Sequence, residues 1–380
     1  MKRRVVLLTE IIAPYRIPVF NELAKHREID LEVIFLAETD PSLRQWQIYK
    51  NEISFRYQVL RSWRKRFGLQ NILLNAGLSA ALEAAKPDAI VCGGYNYLAS
   101  WQSLYWARQK SVRFLVWVES NARDRRSGDP AKEFLKRKFL CNSGGVIVPG
   151  KSSFEYVRGY SVPQKNIFIA PNAVDIELFA CRAEEARRNQ FAVREKLGLP
   201  QRYFLYVGRL VPEKGVFDLV EAYGTLSQDL RKKIGLLMVG DGAARDALVG
   251  MVPAGVGVHD FVQRDELGAF YALADALVFP THSDPWGLVV NEAMACGLPI
   301  IASEAAGCVA DLLEDGWNGR VVASKATHEL ALAMTTLATD DALRHAMGKR
   351  SRERIAGFSP QACAEGIVTA VLCAGECKHA

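Results

Sequence analysis

The feature that most constrains the fold is a regular alternation of short apolar segments with amphipathic segments. Runs such as RRVVLLT, DAIVC and GVIV have the length and near-continuous hydrophobicity of strands buried on both faces. Segments such as IPVFNELAKH and YLASWQSLYWARQK have helical periodicity, and NILLNAGLSAALEAAKP (71–87) similarly predicts one helix that ends at a proline. Because this alternation requires right-handed crossovers, we predict an α/β fold with parallel sheets.

The alternation pauses once and then restarts. Residues 178–200 are charged and largely polar, and YFLYVGRL then begins a second series of strands and helices. A chain of 380 residues is also too long for one ordinary core. We therefore predict two Rossmann-like domains facing across a cleft: an N-terminal domain over 1–178 and a C-terminal domain over 179–358. Residues 359–380 are predicted to form a helix that could pack back on the N-terminal domain.

The composition is that of a globular protein, with 49% hydrophobic and 24% charged residues. No apolar run reaches the roughly 18 residues of a membrane span. The basic start MKRR precedes a short apolar run that contains Glu10, which favours a first strand over a signal peptide. The eight cysteines are scattered without a C-x-x-C pair, which is typical of reduced thiols. We expect a cytoplasmic protein, with a peripheral position at the inner membrane face as a second option.

The charge is distributed unevenly along the chain. Residues 1–180 contain 27 Lys and Arg against 17 Asp and Glu, although the net charge of the whole chain is only +6. The excess is concentrated in RSWRKRF (61–67), RDRR (123–126) and KEFLKRKF (132–139). Such clusters suit an anionic partner, either a membrane surface or a phosphorylated acceptor, and an ordinary solvated face is an equally weighted alternative. Because zinc-ligand spacing and RNP-like aromatic signatures are missing from the sequence, we expect no nucleic-acid partner.

The first motif with chemical content is HSDPWGLVVNEAMACGLPII (282–301). Asp284 follows the apolar strand ALVFPTH, and ligands of parallel α/β sheets bind beyond the carboxyl ends of strands. Glu292 lies in the helix that follows. Both carboxylates could accept from sugar or ribose hydroxyls, while a helix N-cap and a surface glutamate are equally weighted alternatives.

The start of that helix offers a second kind of contact. Gly287 permits a ligand to approach the backbone closely. Free N–H groups at a helix N-terminus favour acceptor oxygens or an anion, and here they belong to Gly287, Leu288 and Val289.

A second motif, YVGRLVPEKGV (206–216), has the same design. A strand ends near Gly208, and Arg209 and Lys214 flank a loop that leads to a helix. Two cations in this position predict a diphosphate site, with surface cations as the less favoured alternative. The loop is neither a Walker loop nor a dinucleotide fingerprint. One ligand that spans a diphosphate site and two hydroxyl contacts would be a nucleoside-diphosphate sugar.

Together these motifs resemble the family 4 glycosyltransferases, which are retaining enzymes of the GT-B fold. The resemblance rests on DPWGLVVNEAMACGLPII and VGRLVPEKG, and it extends through most of 140–320 with VGDG, ADALVFPT, APNAVDIELF and EDGWNG. It is weaker in the N-terminal half, where PYRIPVFNELA is similar to a subset that acts on polysaccharide or other glycoconjugate acceptors. The acceptor class implied is a glycan, a lipid-linked molecule or a small molecule.

The resemblance implies a role for each motif residue. Arg209 and Lys214 would bind the donor diphosphate and stabilise it as the leaving group. Glu292 would bind the ribose, and Asp284 the donor sugar. The segment FVQRDEL (261–267), which includes Val262 and Gln263, would pack on the base. The chain has no D-x-D motif at a strand end, so we expect metal-independent transfer with no cofactor beyond the donor.

The sequence departs from the family pattern in two places. Asp284 stands where glutamate is usual, which shortens the reach by one methylene. The first loop, IIAPYRIP, lacks the glycine pair of many relatives, so that Tyr15 and Arg16 occupy the place near the diphosphate. Glu119 at the end of a strand is a further candidate on the acceptor side, although an ordinary loop glutamate is the favoured interpretation.

Two other functions stay open from the sequence. One is a nucleotide-sugar epimerase on the same fold, and the other is a non-catalytic nucleotide-sugar binder. A dehydrogenase is disfavoured because the glycine fingerprint is missing.

Overall fold

The computed structural model describes residues 2–40, 45–67, 70–123 and 129–374. It divides into an N-terminal unit, Met1–Ala173 with Pro360–Ala380, and a C-terminal unit, Val174–Ser359. The predicted boundary after residue 178 falls inside a helix, Ile176–Arg188, whose first turn is capped by Asp175. The division precedes this helix, because its buried face, Phe179, Ala183 and Ala186, packs in the core of the C-terminal unit.

The strands and helices largely alternate as the sequence predicts, but β3, β4 and β5 follow one another without a helix between them. The strands are β1 (Arg3–Thr9), β2 (Ile29–Phe35), β3 (Arg56–Val59), β4 (Arg61–Phe67), β5 (Gln70–Ala76), β6 (Ala89–Cys92), β7 (Arg113–Trp117), β8 (Gly145–Val148), β9 (Ile167–Ile169), β10 (Tyr203–Val207), β11 (Gly235–Val239), β12 (Val256–His259), β13 (Ala276–Phe279), β14 (Ile300–Ser303) and β15 (Gly319–Val322). The helices are α1 (Ile17–Lys25), α2 (Leu78–Ala85), α3 (Leu98–Gln109), α4 (Pro130–Cys141), α5 (Lys151–Arg158), α6 (Ile176–Arg188), α7 (Gln190–Leu197), α8 (Val216–Thr225), α9 (Gln228–Arg231), α10 (Arg245–Met251), α11 (Arg264–Leu273), α12 (Leu288–Ala295), α13 (Val309–Leu312), α14 (Thr327–Thr339), α15 (Asp341–Ile355) and α16 (Pro360–Cys373).

Each unit is built on its own parallel sheet. The N-terminal sheet has seven strands in the order β3-β2-β1-β6-β7-β8-β9, and the C-terminal sheet has six in the order β12-β11-β10-β13-β14-β15. Every pairing in both sheets is parallel. Both faces of each sheet are covered by a hydrophobic core, which explains why central strands such as β6, β8 and β13 are fully buried and apolar. The predicted α/β fold with two Rossmann-like domains is confirmed.

The single helix predicted over residues 71–87 is wrong. The first half of this segment is β5, which pairs antiparallel with β4 in a two-stranded hairpin. Gly77 then adopts a left-handed conformation with φ +86°, and only Leu78–Ala85 is helical. The apolar residues of the first half fit the two-residue repeat of a strand as well as the 3.6-residue repeat of a helix. The pairing with the basic strand β4 makes this half a strand.

The last helix, α16, belongs to the N-terminal unit and packs on α1 and on strands β7, β8 and β9. The segment Asp341–Cys373 contains a stretch long and apolar enough, by composition, to cross a membrane. In the structure this segment is α15 and α16, separated by a 3-10 turn and the extended Ser359. Because Cys363, Ile367 and Val371 are buried in the core of the unit, we interpret α16 as a core helix.

Candidate functional site

The two motifs of the C-terminal unit follow neighbouring strands. Strands β10 and β13 pair in the sheet, so the loops that leave Val207 and Phe279 emerge at the same edge. The loops are bonded to each other, because the His282 N–H donates to the Glu213 carbonyl over 2.9 Å. Gly215, with φ +69°, lies against the Pro280 carbonyl so closely that a Cβ there would collide with it. The close approach of the two loops therefore requires glycine at this position.

Lys214 and Asp284 form an ion pair across these loops. The Lys214 ammonium donates to Asp284 Oδ2 over 2.5 Å and to the Ser283 carbonyl over 3.0 Å. Both side chains are largely buried, with 11% and 18% of their surfaces exposed. Two residues that the sequence assigns to different parts of a ligand are thus direct partners in the structure.

The carboxylate of Asp284 is held in place by its own loop. Its Oδ1 accepts from the Trp286 N–H over 3.0 Å, and its backbone carbonyl accepts from the Gly307 N–H over 3.0 Å. Asp284 is therefore not the N-cap of α12, which is Gly287. Its conformation is fixed in the loop that precedes the helix, at the end of β13.

The start of α12 is fixed by a glycine and an aromatic ring. Gly287 has φ +96°, and a Cβ there would lie 2.7 Å from Cε1 of Phe279. The helix begins at Leu288, and the Val290 N–H donates to the Gly287 carbonyl over 2.9 Å. The first N–H groups of a helix have no acceptor within the helix, so those of Leu288 and Val289 are available to a ligand oxygen.

Glu292 has a different partner from Asp284. The Tyr271 hydroxyl donates to Glu292 Oε2 over 2.7 Å. Burial raises the pKa of Glu292 to about 7, while the Tyr271 hydrogen bond and the charge of Arg264 act in the opposite direction. This carboxyl group therefore changes its charge near neutral pH, and hydroxyl donors would favour the ionised form.

Arg209 directly follows Gly208 in the loop after β10, and its side chain is exposed. The buried Tyr206 hydroxyl donates to the Arg209 carbonyl over 2.8 Å. Burial and the nearby Asp284 charge raise the pKa of Tyr206, and Arg209 lowers it.

Val262 and Gln263 lie at the start of α11. Val262 is buried in the core, and Gln263 is the N-cap residue, whose carbonyl accepts from the N–H groups of Glu266 and Leu267. The same helix carries Tyr271, so it connects the predicted base-binding segment to Glu292.

The three candidates of the N-terminal unit also lie together. The Arg16 guanidinium forms a salt bridge with Glu119 and lies 3.9 Å from the centre of the Trp117 ring and 5.4 Å from that of Tyr15. Arg16 is largely buried, with 12% of its side chain exposed, whereas Glu119 is 38% exposed. Glu119 directly follows the loop residue after β7, and its partner Arg16 lies in the 3-10 turn Pro14–Arg16 that precedes α1.

Two polar contacts of the site have no motif in the sequence. His282 Nε2 lies 2.6 Å from Asp218 Oδ2 and ties the loop after β13 to α8. Tyr271 is fully buried and bonded to Glu292. Neither Asp218 nor Tyr271 could be found from the sequence, because each lies in an ordinary amphipathic helix and only the tertiary structure brings it to its partner.

Comparison with known proteins agrees with this arrangement. Residues 188–354 match the family model described as glycosyl transferases group 1. The matched residues lie within the C-terminal unit and include both Lys214 and Asp284. D-inositol 3-phosphate glycosyltransferase of Kineococcus radiotolerans is 31% identical over 237 residues, which cover 56% of this chain and 53% of that protein. Alpha-D-kanosaminyltransferase of Streptomyces kanamyceticus is 34% identical over 231 residues, covering 59% of this chain and 58% of that protein.

The fold similarity extends over the whole chain. Anabaena Alr3699/HepE, solved in complex with UDP, superposes with a TM-score of 0.76 at 17% identity and covers 98% of this chain and 100% of that one. The predicted GT-B fold and the resemblance to its glycosyltransferases are confirmed, while membership of family 4 stays a prediction. The chain spans about half the length of the curated relatives it matches.

Proposed function

We propose that the protein is a retaining glycosyltransferase that moves a sugar from a nucleoside-diphosphate sugar to an acceptor hydroxyl in glycoconjugate biosynthesis. The observation that carries this proposal is the Lys214–Asp284 ion pair at the edge of the C-terminal sheet, formed between the loop that also contains Arg209 and the loop that leads to the start of α12. A cation, a carboxylate and helix N–H groups at one place match the diphosphate and hydroxyls of such a donor.

In the proposed reaction, Lys214 and Arg209 bind the diphosphate and stabilise the negative charge that develops on it as the bond to the anomeric carbon breaks. Asp284 and the N–H groups of Leu288 and Val289 hold the sugar hydroxyls. Glu292 accepts from the ribose hydroxyls. The acceptor oxygen forms the new glycosidic bond on the face that the diphosphate leaves, and its proton passes to a phosphate oxygen of the leaving group.

We further propose that the reaction needs no metal ion, because two cationic side chains and a helix N-terminus can neutralise the diphosphate. Tyr15, Arg16 and Glu119 are proposed to act on the acceptor side, which is supported by their mutual contacts. The acceptor itself is proposed to be a glycan, a lipid-linked molecule or a small molecule.

We propose a cytoplasmic protein with a peripheral membrane contact through its N-terminal unit. The support is the basic excess of residues 1–180 and the free thiols of the described cysteines at 92, 141, 181, 296, 308, 363 and 373.

The proposed function is tested by incubating the enzyme with UDP-, GDP-, ADP- and dTDP-sugars, first alone and then with candidate acceptors. We expect slow hydrolysis of one donor with retention at the anomeric carbon, and activity that EDTA leaves unchanged. Conversion of a donor alone into an epimerised sugar would instead show an epimerase. Binding without any turnover would show a non-catalytic binder, and strict dependence on Mg²⁺ would contradict the metal-independent mechanism.

A further inference from the structure

The hairpin of β4 and β5 has one face that is exposed and both apolar and basic. In an antiparallel pair, residues directly opposite each other project from the same face. Trp63 is opposite Leu74, Lys65 is opposite Ile72 and Arg61 is opposite Ala76. Among the residues whose side chains the structure describes, the outer face therefore has three large apolar side chains, two cations and one alanine, with no acidic residue among these six.

These side chains are exposed to a degree that is unusual for their type. Trp63 is 55% exposed, Leu74 40% and Ile72 38%, and Arg61 and Lys65 are exposed as well. The Lys65 ammonium lies 6.0 Å from the centre of the Trp63 ring, so cation and aromatic ring are neighbours on this face. A group of exposed apolar side chains on one element marks an interaction surface.

The opposite face of the hairpin holds it firmly on the N-terminal unit. Leu73 is 2% exposed and belongs to the core. The Arg64 guanidinium bonds to Glu10 over 3.2 Å and to Asp40 over 2.5 Å, and Asn75 Nδ2 donates to the Leu36 carbonyl over 2.5 Å. Because a two-stranded hairpin is barely stable alone, these contacts fix the orientation of the outer face.

We propose that this face of the hairpin docks the protein on an anionic lipid surface. Tryptophan favours the membrane–water interface, where its apolar ring and its N–H group both find suitable surroundings. Lys and Arg beside it are attracted to anionic headgroups. The inference rests on the membrane contact proposed above and deepens it, because it names the residues and the class of lipid.

The positive charge of this face favours an anionic lipid surface over a second copy of the chain as its partner. Two identical faces would bring Arg61 and Lys65 of one copy toward the same cations of the other, without an acidic residue on the face to offset them. An anionic bilayer instead complements the charge and accepts the apolar side chains at its interface.

The test is flotation of the full-length protein with vesicles of phosphatidylcholine containing 30 mol% phosphatidylglycerol, and with pure phosphatidylcholine vesicles, at low salt. We expect binding to the anionic vesicles. The double variant Arg61→Gln/Lys65→Gln is expected to lower the partition coefficient about 25-fold, since each cation near an anionic surface contributes about fivefold. Trp63→Ala is expected to lower it about tenfold.

The control is a second exposed apolar pair of the same unit. Phe134 and Leu135 of α4 are 66% and 49% exposed and adjoin Lys132 and Lys138, so the double variant Phe134→Ala/Leu135→Ala removes a comparable patch. This variant is expected to bind vesicles as the wild type does. Loss of binding in the α4 variant together with wild-type binding in both hairpin variants would overturn the assignment to the hairpin.

Two further outcomes are distinguishable. If the wild type does not bind the anionic vesicles at all, the membrane contact itself is wrong. If the wild type forms a dimer that Trp63→Ala abolishes, and does not bind vesicles, the face belongs to a second copy of the chain. Donor binding, measured by thermal shift on every variant, is expected to stay unchanged, so failure of the docking proposal leaves the proposed transfer untouched.

Discussion

The two units differ in how their candidate residues are held. In the C-terminal unit, residues from two sequence motifs form one ion pair, and the match to the family model lies at 188–354, within this unit. In the N-terminal unit, Arg16 and Glu119 pair beside Trp117 outside the matched residues. The family model therefore matches the unit that holds the Lys214–Asp284 pair, whereas the Arg16–Glu119 pair and the basic hairpin lie outside the matched residues.

The largest loss of turnover is expected from a substitution in the C-terminal unit. Lys214→Ala should lower turnover by about 100-fold or more, because it removes a preorganised charge from the proposed leaving group. It should also lower the melting temperature, since Asp284 is left buried without its partner. Steady-state kinetics and thermal unfolding measure both effects.

The matched control for Lys214 is Lys110→Ala, which removes an exposed ion pair with Glu83 in the other unit. Because exposed pairs contribute little, this variant should keep its activity and stability. Arg209→Ala should separate the two effects. We expect it to lose turnover as Lys214→Ala does but to keep its melting temperature, because Arg209 is exposed. Wild-type turnover in both the Lys214 and Arg209 variants would show that the diphosphate binds elsewhere.

A smaller effect is expected in the N-terminal unit. Arg16→Ala should lower the rate of transfer to the acceptor by about 30-fold, as expected for loss of a charged hydrogen bond. Its donor affinity should stay within about twofold of the wild type, because the proposed donor contacts lie in the other unit. Arg4→Ala, which removes an exposed pair with Asp88 in the same unit, is the control and should behave as the wild type. Loss of donor affinity in Arg16→Ala would contradict the assignment of donor binding to the C-terminal unit and of acceptor contacts to the N-terminal unit.

The pKa of Glu292 gives a pH dependence to donor binding. Its pKa is about 7 in the free protein, and ribose hydroxyls that donate to the carboxylate would lower it in the complex. Below pH 7 binding then requires loss of a proton, so the affinity should rise by up to about tenfold per pH unit and level off above pH 7. Calorimetry with an intact nucleotide sugar, whose diphosphate does not titrate in this range, measures the effect.

Two variants sharpen this prediction. Glu292→Gln should bind weakly with no dependence on pH. Tyr271→Phe removes the hydrogen bond that lowers the pKa of Glu292, so its affinity should level off at a higher pH. A pH dependence that persists in Glu292→Gln would assign it to another group.

The smallest effect concerns the choice of donor. Asp284→Glu introduces the glutamate that is usual at this position in the family that the sequence resembles. It lengthens the side chain by one methylene. The Lys214 ammonium already lies 2.5 Å from Asp284, so the longer side chain must shift the carboxylate. We expect the ratio of kcat/KM between two donor sugars that differ at one hydroxyl to change about fivefold, as for one hydrogen bond gained or lost. An unchanged ratio would show that Asp284 does not select the sugar.

Much of the fold could be predicted from the sequence, because parallel strands buried on both faces leave continuous apolar runs that differ clearly from amphipathic helices. The segment 71–87 shows the limit: its apolar residues fit a strand as well as a helix, and only the pairing with β4 decides. The start of α6 could not be placed either, because the helix is charged and its relation to the C-terminal core is a tertiary property.

The same limit applies to the site. The sequence predicts that Lys214 and Asp284 lie at one edge of a sheet, since both follow strand ends, but not that they bond to each other. Partners that lie on the helices α8 and α11, Asp218 and Tyr271, have no local signal. Residues at strand ends can therefore be predicted from the sequence, whereas the side chains that position them depend on helix packing.

The most direct test is calorimetric titration of the wild type, Lys214→Ala and Arg16→Ala with the nucleotide sugar that stabilises the wild type most in a thermal-shift screen. If the C-terminal unit binds the donor, Lys214→Ala binds it at least about tenfold more weakly, and Arg16→Ala binds it within about twofold of the wild type. Equal affinity in the wild type and Lys214→Ala, or a loss of affinity confined to Arg16→Ala, would contradict the assignment of the donor to the Lys214–Asp284 site.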